Sequence, residues 1–216
     1  MAENGIFITL EGGEGCGKTT QLPLLAAALR TRFPGREIIE TRSPGGTPTA
    51  EKIRSVLKEP VPSDDLLPET ELLLFAACHA QMCERLVRPA LSRGAILIAD
   101  RFCDSTVVYQ GVARGLDPDW IAKVNAFACK GTEPALTILL DLDPESAVAR
   151  TRLRSSGPGN DRFDSETISF HRAVRRGFLK RAAEYPARFA VVDAAADVNA
   201  VHSAILEVIR ERLALF

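Results

Sequence analysis

"IFITLEGGEGCGKTTQLPLLAAAL", residues 6–29, decides the fold. It opens with a short apolar and β-branched run, turns through a glycine-rich loop and continues with the composition of a helix. Gly12 to Thr19 fit G-x-x-x-x-G-K-[ST], a loop whose backbone N–H groups wrap nucleotide phosphates. Gly12 and Gly17 permit positive φ and close backbone approach, Lys18 can reach β and γ phosphates, and Thr19 offers a hydroxyl to Mg²⁺. Gly13, Glu14, Gly15, Cys16 and Thr20 complete the expected phosphate contact. Cys16 precedes the helix start and is read as a small residue filling the loop, with no chemistry of its own.

Working outward, "REIIET", "AILIAD", "ALTILLDL" and "FAVVDA" are further strand-length apolar runs, each followed by a segment of helix length or longer. That alternation predicts an α/β domain with a five-stranded parallel sheet and helices on both faces. Ligands in such sheets bind at the carboxyl ends of the strands, where the phosphate loop and the pair Asp100-Arg101 both fall. Pro23 lies near enough to the start of its helix to be tolerated. "EPVPSDDLLPE" reads as a connection between helices, and "RSSGPGNDR", residues 154–162, as an irregular break. One domain spanning residues 1–216 is expected from the chain length.

The 27 basic and 28 acidic residues nearly cancel, so no global positive field draws the chain to nucleic acid or membrane. No apolar run is long enough to span a bilayer, and "MAENG" lacks a basic or apolar leader. Five cysteines with no C-x-x-C pair read as reduced thiols. A cytoplasmic protein is expected. A GTP-driven switch is the weaker class: no lysine is followed two places later by aspartate, and D-x-x-G is absent.

Three further stretches narrow the reading: "TRSPGGT" at 41–47, "LLLFAACHAQ" at 72–81 and "DRFCDSTVVYQG" at 100–111. On a helix, Phe75 and His79 are i,i+4 neighbours, able to stack a base and read its edge; a plain core stripe is the alternative. Arg101 follows a buried strand, where its planar fork suits a monophosphate, and Arg42 is a second candidate. Asp100 at the strand end can hold the Mg²⁺ shell or orient the lysine; a structural ion pair with Arg101 is the alternative.

Together with "EGGEGCGKTT", these stretches resemble the thymidylate kinase family, which passes a phosphoryl group from ATP to dTMP. That family typically shows E-G-x-E/D-G-x-G-K-T-T, T-R-E-P-G-G-T, L-L-F-x-A-x-R-A-Q and D-R-x-x-x-S-T-x-A-Y-Q-G, in this order. The resemblance implies a P-loop kinase fold with a short lid, ATP and Mg²⁺ as cofactors, and a homodimer, with the helix around residues 72–77 as a candidate interface. It places Glu14 near the acceptor sugar or the phosphate machinery, and it implies for Asp100, in the D-R pair, the role of holding the Mg²⁺ shell or orienting the lysine. Ser105, Thr106, Tyr109 and Gln110 would line the deoxyribose and thymine side, with Tyr109 where a 2′-OH would otherwise fit.

Phosphoryl transfer between two anions needs positive charge that arrives with closure. Residue 15 is glycine, so the loop supplies no arginine. "ARTRLRSSGPGNDRFD" supplies Arg150, Arg152, Arg154 and Arg162 around the break. Thymidylate kinases without a loop arginine are similar, and the resemblance implies a lid over about 150–164 with Arg154 and then Arg162 as the catalytic arginines; a solvated helix end rich in cations is the alternative. The family's usual arginine is His79 here, and its usual glutamate is Ser43. A histidine is shorter and can accept as well as donate, so base preference becomes a question; dTMP is expected to remain the best acceptor, with His79→Arg raising kcat/KM. A kinase for another nucleotide or deoxynucleoside, or a regulator without turnover, are the rival functions.

Overall fold

The computed structural model describes residues 4–59, 61, 64–154, 163, 166–213 and 215, with 152–154 described by their backbone alone. Strand β1 (Ile6–Glu11) leads through the phosphate loop into α1 (Lys18–Arg32), which continues through Pro23. Strand β2 (Ile38–Arg42), α2 (Pro48–Lys58) and α3 (Pro68–Met82) follow; a π-helical turn, Cys83–Val87, joins α3 to α4 (Arg88–Ser92). After β3 (Ile96–Asp100), α5 (Cys103–Thr106) runs into a second π-helical segment, Val107–Ala113, and then α6 (Pro118–Cys129). Strand β4 (Leu136–Asp141), α7 (Pro144–Arg154), α8 (Ile168–Glu184), β5 (Phe189–Asp193) and α9 (Val198–Leu213) complete the order.

The five strands are parallel in the order β2-β3-β1-β4-β5. Each expected strand forms, and the register pairs Leu10 and Arg42 with Asp100, which brings three carboxyl ends level. From β3 the chain crosses over β1 to reach β4, so the direction of winding reverses beside the phosphate loop. That is the crevice in which ligands of such sheets bind.

Alternation along β1 divides the core. Ile8 and Leu10 face a cluster closed by Leu25 and Leu29 of α1 and Ile205 and Ile209 of α9. Phe7 faces a second cluster with Leu97, Ala99, Phe102, Met82 and Val87. Each of these large side chains contributes about 1.5–3 kcal/mol on burial. The central strands are therefore apolar on both faces, as a doubly covered sheet requires. Inside it, the Thr9 hydroxyl donates to Thr137 at 2.9 Å.

Candidate active site

The phosphate loop takes the shape its glycines allow. Gly12 has φ 139° and Gly17 has φ 99°. A Cβ on Gly12 would lie 2.5 Å from the carbonyl oxygen of Leu140, so the loop packs too closely on β4 for any side chain there. Gly17 caps α1 without a side-chain hydrogen bond, which leaves the first N–H groups of that helix for an anion. Lys18 Nζ lies inside the loop, donating to the carbonyls of Gly12 at 3.0 Å and Gly13 at 2.8 Å, and to Cys16 Sγ at 3.4 Å. Cys16 is buried in the core beside the loop, as its reading as a filler requires. Thr19 and Thr20 are exposed at the helix start.

Next to the loop, the end of β3 supplies Asp100 and Arg101. Arg101 has φ 72°, in the left-handed region that side-chain-bearing residues rarely occupy. Its guanidinium donates to Gly12 O at 2.8 Å, to Ser105 Oγ at 3.1 Å and to Glu14 Oε1 at 2.8 Å. Glu14 also accepts from the Tyr109 hydroxyl at 2.7 Å and 2.8 Å. Burial pushes the Tyr109 hydroxyl well above its ordinary pKa, and the neighbouring Glu14 carboxylate adds to the effect while Arg101 opposes it. Glu14 thus joins the phosphate loop, the β3 end and the π-helical segment in one polar knot.

Beneath the knot, Glu11 is fully buried, accepting from the Phe102 N–H at 2.8 Å and from Ser105 Oγ at 2.6 Å. Burial raises its carboxyl to about 7, with Arg101 pulling the other way and Asp104 adding to the rise. Asp104 is itself buried between Arg181 of α8 and Arg188, at 2.8 Å and 2.6 Å, which anchors α5 to α8 and to the segment entering β5. Sequence reasoning missed both acids, because their partners lie far along the chain.

Two cavities flank the knot and share Glu14 as a wall. The smaller, about 100 Å³, brings together Arg42, Phe75, Asp100, Arg101, Ser105, Tyr109 and Gln110 from α3, the ends of β2 and β3 and the segments after β3. Seven residues assigned to a substrate or metal from sequence therefore converge on it. Arg54, Lys58 and Phe163 also line it, and no motif pointed to them. Arg42 is bonded to Glu51 at 2.9 Å, and that hydrogen bond holds the Glu51 carboxyl below its usual range. Ser43 lies at the cavity edge, its N–H on the Asp100 carbonyl. The larger cavity, about 570 Å³, is bounded by the phosphate loop, the end of β4, α7 and α8.

Two of the expected acceptor contacts are placed elsewhere. His79 is buried against Phe102, ring centroids 5.1 Å apart, and does not line the smaller cavity. The turn between Phe75 and His79 advances by four residues, about 40° beyond a full rotation, and that offset puts the second ring into the core. Burial lowers the His79 pKa to about 4, so the ring is neutral. Thr106 is also buried and outside the cavity lining. Of the lid residues, Arg162 lies outside the described residues, as does the side chain of Arg154. Arg150 donates to the carbonyls of Ala194 at 2.9 Å and Ala195 at 3.1 Å.

The metal reading has one structural support. Asp100 Oδ1 is buried without a hydrogen-bond partner among the described residues, a state that a cation or its bound water would relieve. No group of three or more histidine, cysteine or acidic side chains among the described residues forms a protein cage for a metal. Mg²⁺ fits that arrangement, since it is usually held by one or two side chains together with phosphate oxygens and water.

A family model described as thymidylate kinase matches residues 10–205. The chain belongs to the thymidylate kinase family. It is 46% identical to a thymidylate kinase from Trichlorobacter lovleyi over 213 residues, covering 97% of this chain and 99% of that protein. It is 47% identical to one from Chromohalobacter salexigens over 210 residues, covering 97% of each. The fold matches the crystal structure of the thymidylate kinase from Ehrlichia chaffeensis with a TM-score of 0.78, at 30% identity and covering 95% of this chain and 99% of that one. The P-loop kinase fold expected from the four motifs is thereby established for this chain.

Proposed function

We infer that the chain transfers the γ phosphoryl group of ATP to the phosphate of dTMP, giving dTDP and ADP. The observation that carries the reading is Arg101: it is bonded to the backbone of the phosphate loop at Gly12 and lines the cavity that holds Phe75. A monophosphate on Arg101 is therefore beside the donor loop, and a base beyond it meets the Phe75 ring. Arg42 adds charge at the phosphate end. The acceptor phosphate is itself the nucleophile, so positioning and charge neutralisation are what the protein must supply.

Lys18 and the α1 N-terminus receive the donor phosphates. Thr19 and Asp100 are the residues that would hold Mg²⁺, which when bound neutralises charge on the phosphate oxygens. Glu14 and Tyr109 form the wall against the sugar, and the Tyr109 ring occupies the space a 2′-OH would need. Gln110 offers its amide to the base edge. Arg154 and Arg162, in a lid over about 150–164 of a single domain, bring the remaining positive charge on closure and keep water from the donor. The absence of an arginine in the phosphate loop supports that assignment.

A homodimer is part of the proposal. Leu73 on α3 and Trp120 and Phe127 on α6 are 62%, 63% and 80% exposed on two helices that pack side by side. Large apolar side chains grouped on one face favour a second copy. The near-neutral charge and five free cysteines support work in the cytoplasm, and no described helix is long and apolar enough to cross a membrane.

The test is turnover of dTMP, dUMP, dCMP and dGMP with ATP, followed by single-turnover mixing with dTMP. Preferred formation of dTDP is expected. Preference for another base, or binding of both nucleotides with no product, overturns the reading.

A further inference from the structure

The displacement of His79 into the core leaves the reading of the base to another group, and Gln110 is a polar side chain that lines the cavity. Its amide is not free to face the cavity either way round. Nε2 donates to Glu71 Oε1 at 2.7 Å. Glu71 is fully buried on α3, one helical turn before Phe75, and is balanced by Arg114, whose Nε lies 3.3 Å from the same oxygen. A carboxylate held in an ion pair offers only lone pairs, so it fixes which end of the amide it receives. Gln110 lines the cavity, and with its nitrogen committed, its carbonyl oxygen is the atom left to serve a ligand there. Arg114 also bonds Glu166 at 2.6 Å, which ties this support to the segment entering α8.

We propose that Glu71 is a positioning residue that sets base specificity: by holding Gln110 Nε2 it presents the Gln110 carbonyl to the acceptor, so the site takes a base edge that donates N–H and rejects one that offers a lone pair. Thymine and uracil donate from N3, whereas cytosine has a lone pair at N3. Two facing acceptors leave both unsatisfied in a buried site, a penalty that discriminates far more strongly than the loss of a methyl group. The inference rests on the cavity being the nucleobase site. Wild-type turnover of dTMP tests that reading, and the ratio between acceptors tests this one.

Glu71→Gln keeps the size of the side chain and lets either end of the Gln110 amide turn inward. The expected result is a fall of at least about tenfold in the ratio of kcat/KM for dTMP over dCMP, carried by a higher KM for dTMP. The ratio of dTMP to dUMP should stay within about twofold, because both bases donate from N3. A parallel loss on dTMP and dCMP, with their ratio unchanged, assigns Glu71 a structural role and overturns the proposal. Should the single variant not fold, Glu71→Gln with Arg114→Met removes both charges of this pair together and reads the same ratio. A crystal of the wild-type chain with dTMP needs no substitution: the base N–H on Gln110, with Nε2 still on Glu71, supports the proposal, and a base edge turned away from Gln110 overturns it.

Discussion

The two cavities that share Glu14 are built differently. The smaller is framed by side chains already bonded to other protein groups: Arg101 to Glu14 and Gly12, Tyr109 to Glu14, Gln110 to Glu71. The larger is framed by the phosphate loop, the end of β4 and the faces of α7 and α8. Fewer of its lining side chains are bonded to one another: Arg175 bonds Asp141 at 2.7 Å, and His171 Nδ1 stands 3.7 Å from Glu14. A wall of mutually bonded side chains recognises, because its donors and acceptors are aimed before a ligand arrives. A phosphate loop binds through backbone N–H groups, which hold the phosphates of any nucleotide. On the proposed reading, acceptor discrimination therefore belongs to the small side and the donor phosphates to the loop beside the large one.

That contrast can be broken most strongly at Lys18. Lys18→Ala is expected to lower kcat about a thousandfold while the dissociation constant for dTMP, measured by calorimetry, changes less than about threefold. Equal damage to both would merge the two sides. Arg101→Ala comes next: KM for dTMP should rise about a hundredfold, since the truncation leaves Glu14 without its charged partner as well as removing the phosphate contact. Phe75→Ala should raise KM for dTMP about tenfold, the loss of one stacking surface, with KM for ATP unmoved.

The smallest effects are on stability, read from denaturant midpoints across pH. Glu11 has its carboxyl raised to about 7 by burial, so its contribution is full below the ordinary 4.5 and is lost as pH rises through 7. Glu11→Gln should remove a slope of about 1 kcal/mol per pH unit in that window. His79, lowered to about 4 by burial, contributes fully above 6.5 and loses that contribution as pH falls toward 4. His79→Phe should flatten the acid side. The same sign of change in both variants would show that the two buried groups are not held as described.

Much of this was legible in the sequence. The five strands stood out because each is a short run dominated by apolar and β-branched residues and followed by a helical segment, and Gly12 and Gly17 announced their positive φ because a phosphate loop asks for that spacing. Phe75, Arg101 and Tyr109 reached the cavity because each sits at a position fixed by its own helix or strand end. His79 was misread because i,i+4 spacing puts two residues on roughly one face, and only the packing of Phe102 decides which ring turns inward. Glu71, Glu11 and Asp104 could not be found locally: an acid on a helix or a strand end reads as a surface charge until the chain returns Gln110, Ser105 and Arg188 to it. Arg54 and Phe163 carry no motif, and tertiary packing alone brings them to the cavity.

Arg101 is fastened on one side to Gly12 O and on the other opens onto the small cavity. On the proposed reading, a single guanidinium thus joins two binding events. Occupancy of the acceptor pocket should tighten the grip on donor, and each nucleotide should be bound more firmly in the presence of its counterpart than alone.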